Sequence, residues 1–103
     1  MRIKLVVLAV LGVLLAASAA EAQVLSIATA RKEIRRDAVE NCKKACIEIE
    51  VNQCTRRSPR RVSCHARAEF RDESECLWQA IAILKAGSSK VRIRIRNEVC
   101  GPV

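Results

Sequence analysis

The sequence predicts an α+β fold: one N-terminal helix packed on a four-stranded antiparallel meander, disulfide-stabilised, after a cleaved signal peptide. Three observations carry that expectation. Apolar residues recur at helical spacing and then switch to strict alternation near Ile47. Polar turn-forming clusters separate the alternating runs. Finally, the 6 cysteines all lie beyond the leader.

The leader comes first. Arg2 and Lys4 precede an unbroken run of small and apolar residues from Leu5 to Ala17. Ala20-Glu21-Ala22 then offers a small-x-small cleavage pattern before Gln23, with Ala17-Ser18-Ala19 as an alternative site. The run is shorter than the roughly 20 apolar residues that a spanning helix needs. Residues 1–22 are therefore expected to be a signal peptide and 23–103 a single small domain, secreted, extracellular or periplasmic, with no transmembrane segment. The whole chain carries a net charge of +8, and about +7 remains after cleavage, from 17 Lys and Arg against 10 Asp and Glu. Such a balance favours anionic surfaces, polymers or acidic proteins as partners. It leaves the oligomeric state open.

From Ser26, the residues Ile27, Ala30, Ile34, Ala38 and Cys42 form one apolar stripe, opposed by Arg31, Lys32, Arg35 and Arg36. The spacing predicts a helix over 26–44 with Ser26 as its N-cap. Ile47, Ile49 and Val51 then alternate with Glu48, Glu50 and Asn52, predicting a strand with its apolar side on the isoleucines. Arg56-Arg57-Ser58-Pro59-Arg60-Arg61 is expected to break it, since Pro cannot donate to a ladder. Val62 to Phe70 alternates again and predicts a second strand, closed by the polar turn Asp72–Glu75. Residues 76–85 fit a buried strand or a short helix; their length and the following Gly87-Ser88-Ser89 turn favour strand. Lys90–Arg96 is the last strand, with Val91, Ile93 and Ile95 on one side and Arg92, Arg94 and Arg96 on the other.

An even cysteine count in a short exported chain reads as three disulfides. Zinc is not expected, because the cysteine spacings lack close C-x2-C pairs and His65 is the sole histidine. Folding the two outer hairpins brings Cys54 near Cys64 and Cys76 near Cys100, leaving Cys42 with Cys46. The alternation puts Cys54 and Cys64 on opposite faces unless a bulge intervenes, so Cys42–Cys64 across the two layers competes.

Catalytic signatures are missing. The sequence has no Gly-rich phosphate loop, no G-x-S-x-G, no H-E-x-x-H and no tyrosine, and His65 reads as an exposed strand residue. A cysteine nucleophile would need a free thiol in an electropositive setting. Neither an enzyme nor a cofactor is expected. The chemistry that remains is basic: Arg56, Arg57, Arg60 and Arg61 in the first hairpin, and Arg92, Arg94 and Arg96 on the last strand, with Arg67 able to join them. Arginine suits bidentate recognition of carboxylate and phosphate, which makes these the candidate anion-binding residues. The competing explanation is a solvated face whose charges discourage edge pairing. Specific nucleic-acid binding would recruit stacking aromatics, whereas Trp78 and Phe70 look like core.

The stretch Cys54-Thr-Arg-Arg-Ser-Pro-Arg-Arg-Val-Ser-Cys64, followed by the Val-Arg-Ile-Arg-Ile-Arg strand, resembles small exported bacterial proteins. Their helix-then-meander layout is similar to cystatin-like and PepSY-like two-layer domains. The resemblance implies an extracytoplasmic binding or inhibitory module; the cystatin Q-x-V-x-G loop is absent. A defensin-like reading of Cys42-x3-Cys46 lacks the C-x-C partner strand of that scaffold. The sequence therefore points to a non-enzymatic exported binding domain with a basic surface. A cationic defence peptide and a secreted enzyme inhibitor are the alternatives.

Overall fold

A computed structural model describes residues 23–42 and 45–103, so the expected signal peptide, 1–22, lies outside the described residues. Helix α1 (Ile27–Cys42) is followed by strands β1 (Cys46–Ser58), β2 (Arg61–Phe70), β3 (Ser74–Leu84) and β4 (Val91–Pro102). The strands pair in sequence order as one antiparallel meander, and α1 covers one of its faces. Residues 76–85, open to either assignment in the sequence, belong to a strand.

The helix begins where its cap predicts. The Ser26 hydroxyl accepts from the Thr29 amide at 3.0 Å, satisfying an N–H that the first turn leaves without a partner. Ala30, Ile34 and Ala38 are buried against the sheet. Beneath them lie Val62, Cys64 and Ala66 of β2 and Ala80 and Ala82 of β3, with Leu25 closing the core at the helix N-terminus. Most of these side chains are small, so the helix can approach the sheet closely. Ile34 and Val62 are the bulkiest aliphatic side chains in the fully buried set, and burying each stabilises the fold by about 2 kcal/mol.

Strand parity explains the rest. Between Asn52↔His65 and Thr55↔Ser63, β1 holds one residue more than β2. The extra residue produces a bulge at Gln53, whose φ is 50°. The bulge turns Cys54 onto the helix-facing side, where Cys64 already points, and the two are bonded with Cα atoms 4.0 Å apart. The same arithmetic recurs at the other edge. Between Gln79↔Arg96 and Leu77↔Val99, β4 holds an extra residue near Asn97, at φ 55°, and Cys100 thereby falls opposite Cys76. Cys42–Cys46 is the third disulfide; the cross-layer Cys42–Cys64 link is not formed.

Strand boundaries and one side-chain face differ from the sequence reading, and β3 already begins at Ser74, inside the expected Asp72–Glu75 turn. β1 does not stop before the arginine run but continues through Arg56 and Arg57 to Ser58, leaving only Pro59-Arg60 to turn. As an edge strand it tolerates Arg57 reaching into water. β4 continues past Arg96 because the bulge absorbs the change of face. Ile47 does not join Ile49 and Val51 against the helix: a register shift between Cys46 and Glu48 leaves it 59% exposed.

Candidate functional site

The sheet face turned away from α1 is open, and register orders its side chains into rows. At the end nearest the outer hairpin turns, Arg92, Ile83 and Arg61 lie side by side. Next come Arg94, Ile81 and Ser63, then Arg96, Gln79 and His65 with Asn52. Val99, Leu77, Arg67 and Glu50 follow, and Glu75, Glu69 and Glu48 finish the face. The open face therefore grades from basic to acidic along the strands.

Arg67 belongs to the acidic end. Its Nε donates to Glu75 Oε2 at 2.8 Å, while Glu69 and Glu50 lie 3.5 and 3.9 Å from its terminal nitrogens. The Glu75 hydrogen bond raises the pKa of this guanidinium further. Arg67 is thus engaged locally and does not extend the basic stripe.

The candidate arginines divide into two groups. Arg56 is tied to backbone: its guanidinium donates to the carbonyls of Ser58 and Pro59, each at 3.1 Å, and to that of Leu25. With the Leu25 amide donating to the Pro59 carbonyl at 2.8 Å, these bonds fasten the chain before α1 to the first hairpin. Arg60 Nε donates to the Leu84 carbonyl at 3.1 Å, and its Nη2 is buried without a hydrogen-bond partner among the described residues. By contrast, Arg57, Arg61, Arg92, Arg94 and Arg96 are exposed. Among the described residues the ion pairs use only Arg36 and Arg67 as cations, so none of these five is paired. Arg57 stands at a further register shift, and Arg61 and Arg92 flank Ile83.

All six sulfurs are in disulfides, leaving no free thiol as nucleophile. Cys76, Glu98 and Cys100 lie close enough to suggest metal donors, but two of them are joined to each other. His65 is exposed beside Gln79 and Asn52. Among the described residues no helix is long and apolar enough to cross a membrane. Three disulfides fit an oxidising compartment.

A second feature escaped the sequence reading. Trp78 and Phe70 are not sealed in the core; both are half-buried and line a cleft of about 170 Å³ between the end of α1 and the sheet. Ile95 forms part of its wall, and Asp37, Asn41 and Glu98 also border it. Burial pushes the Asp37 carboxyl above its ordinary value, with Asn41 acting in the opposite direction. The two aromatics each sit on the helix-facing side of a strand, which is why alternation alone reads them as core.

Comparison with protein-family models, with curated proteins and with solved structures returned no match for this chain. An assignment to cystatin-like or PepSY-like domains therefore has no support from these comparisons, and no inhibitory or ligand-binding residue is carried over from either.

Proposed function

We propose that this chain is an exported, non-enzymatic binding domain whose ligand is an anionic polymer, held at the basic end of the open sheet face. The observation that carries the reading is the set of exposed, unpaired guanidinium groups of Arg57, Arg61, Arg92, Arg94 and Arg96. Alternate residues on a strand lie about 7 Å apart. Arg92, Arg94 and Arg96 thus form a straight ladder on a rigid scaffold, suited to consecutive charges of an extended chain. Ile81 and Ile83 beside the ladder limit hydration on one flank, which strengthens the electrostatics locally. The signal-peptide pattern and the three disulfides support an oxidising, extracytoplasmic setting for this reading.

Inorganic polyphosphate is a suitable probe. Affinity measured by anisotropy should fall steeply with salt, with a slope of about −0.7 per phosphate contact if the chain behaves as a flexible single strand. R92Q/R94Q/R96Q should reduce that slope by about 2, three contacts at this value. R35Q/R36Q on the helix should leave it unchanged. A salt-independent affinity, or a triple variant that binds as the parent does, would sink the proposal.

A further inference from the structure

The cleft beneath the end of α1 has chemistry opposite to the basic face. It lies where the inner face is incompletely covered on its β3–β4 side, with Ile95 of β4 45% exposed. The chain's only Trp and only Phe line it, and it contains no tyrosine to substitute for either. Two acidic residues, Asp37 and Glu98, are among its lining residues, and neither takes part in an ion pair among the described residues. A protein of net charge +8 thus places both its aromatics beside two unpaired acids.

An occupant must satisfy size, apolar surface and charge together. A cleft of about 170 Å³ falls below the roughly 300 Å³ at which pockets for whole drug-sized ligands begin, and suits one side chain. Aromatic walls favour either an apolar body or a cation lying over a ring face. Acidic residues in the lining disfavour anions and favour a positive tip. A group with an aliphatic stem and a charged end meets all three conditions, because such side chains bury the stem and keep the head at the water boundary.

We propose that this cleft receives an alkylammonium group, the lysine side chain of a partner peptide, with its stem on Trp78, Phe70 and Ile95 and its ammonium between Asp37 and Glu98. The site is independent of the arginine ladder and of the reading built on it. It would let one domain hold a basic peptide on its helix side and an anionic chain on its open face.

Trp78 is the sole tryptophan, so its emission reports the cleft directly. The oxidised protein is titrated with N-acetyl-lysine methylamide, with its neutral norleucine counterpart and with the arginine counterpart. A saturable change with the lysine probe is expected, with affinity about fivefold above that for norleucine. D37N and E98Q should each erode that preference, and the double variant should abolish it. D37N should retain the fold, because Asp37 is only half-buried and takes part in no ion pair among the described residues; far-UV circular dichroism checks this. Glu98 is exposed, so E98Q keeps the test valid even if D37N misfolds. No saturable change, equal affinity for norleucine, a stronger response to arginine, or an E98Q variant with undiminished preference would each overturn the proposal.

Discussion

Deleting Gln53 should be milder than removing the disulfide next to it. Gln53 occupies the bulge that gives β1 one residue more than β2 between two fixed pairs. Removing it leaves Asn52 opposite His65, Cys54 opposite Cys64 and Thr55 opposite Ser63 in a regular ladder, so the disulfide still forms. The deletion also removes a non-glycine residue at φ 50°, a conformation costing about 1–2 kcal/mol. The variant should therefore match the parent or gain slightly, less whatever strand twist the bulge supplied. The C54A/C64A variant, by contrast, frees a loop of sequence separation 10, worth about 2.7 kcal/mol of unfolded-state entropy. With a urea m-value of about 1 kcal/mol/M for so small a domain, its midpoint should fall by about 2.7 M. Urea unfolding followed by Trp78 fluorescence gives the midpoints, and alkylation with mass spectrometry counts free thiols. Two free thiols and a midpoint loss as large as in C54A/C64A would refute the parity argument.

Other outcomes follow from the same geometry. Removing the Cys76–Cys100 link with C76A/C100A should cost more, about 3.4 kcal/mol, because it closes a separation of 24; the order of the two urea midpoints checks this. R56A should destabilise by about 1.5 kcal/mol through loss of charge-assisted bonds to the Leu25, Ser58 and Pro59 carbonyls. R57A, on an exposed side chain, should stay within about 0.5 kcal/mol of the parent by the same unfolding assay. Hydrogen bonds from the Ser74 hydroxyl and amide hold the Asp72 carboxyl below its ordinary value. Its contribution is therefore present above the unfolded value of about 3.9 and is lost as pH falls through the lower folded value. Urea midpoints across that acid range should fall more steeply for the parent than for D72N; parallel curves would contradict it.

The architecture was legible because period and punctuation agree. The Ile27–Ala38 stripe, the Val62–Phe70 alternation and the turns at Pro59, Asp72 and Gly87 each point to the same helix-on-meander arrangement. Bulges were less legible, because one extra residue changes no composition and leaves alternation intact on either side. The cysteines supplied the clue: a hairpin link from Cys54 to Cys64 demands a change of face, and Gln53 provides it. The functional roles of the arginines were legible only as a class. Nothing in Arg56-Arg57-Ser58-Pro59-Arg60-Arg61 distinguishes Arg56 and Arg60, which reach backbone carbonyls, from Arg57 and Arg61, which face water. That division depends on long-range approach of Leu25 and Leu84. The cleft was hidden for a related reason. Trp78 and Phe70 occupy core-parity positions, and strand alternation does not show how far α1 covers the inner face at those positions.

The claim that the basic end of the open face is the anion site is tested most directly by amide chemical-shift mapping with a short polyphosphate. Perturbations should concentrate on Arg61 and Arg92 to Arg96, fade toward Glu48, Glu69 and Glu75, and spare the amides of Arg31 to Arg36 on α1. Shifts centred on the helix arginines, or spread evenly over every basic residue, would contradict the account.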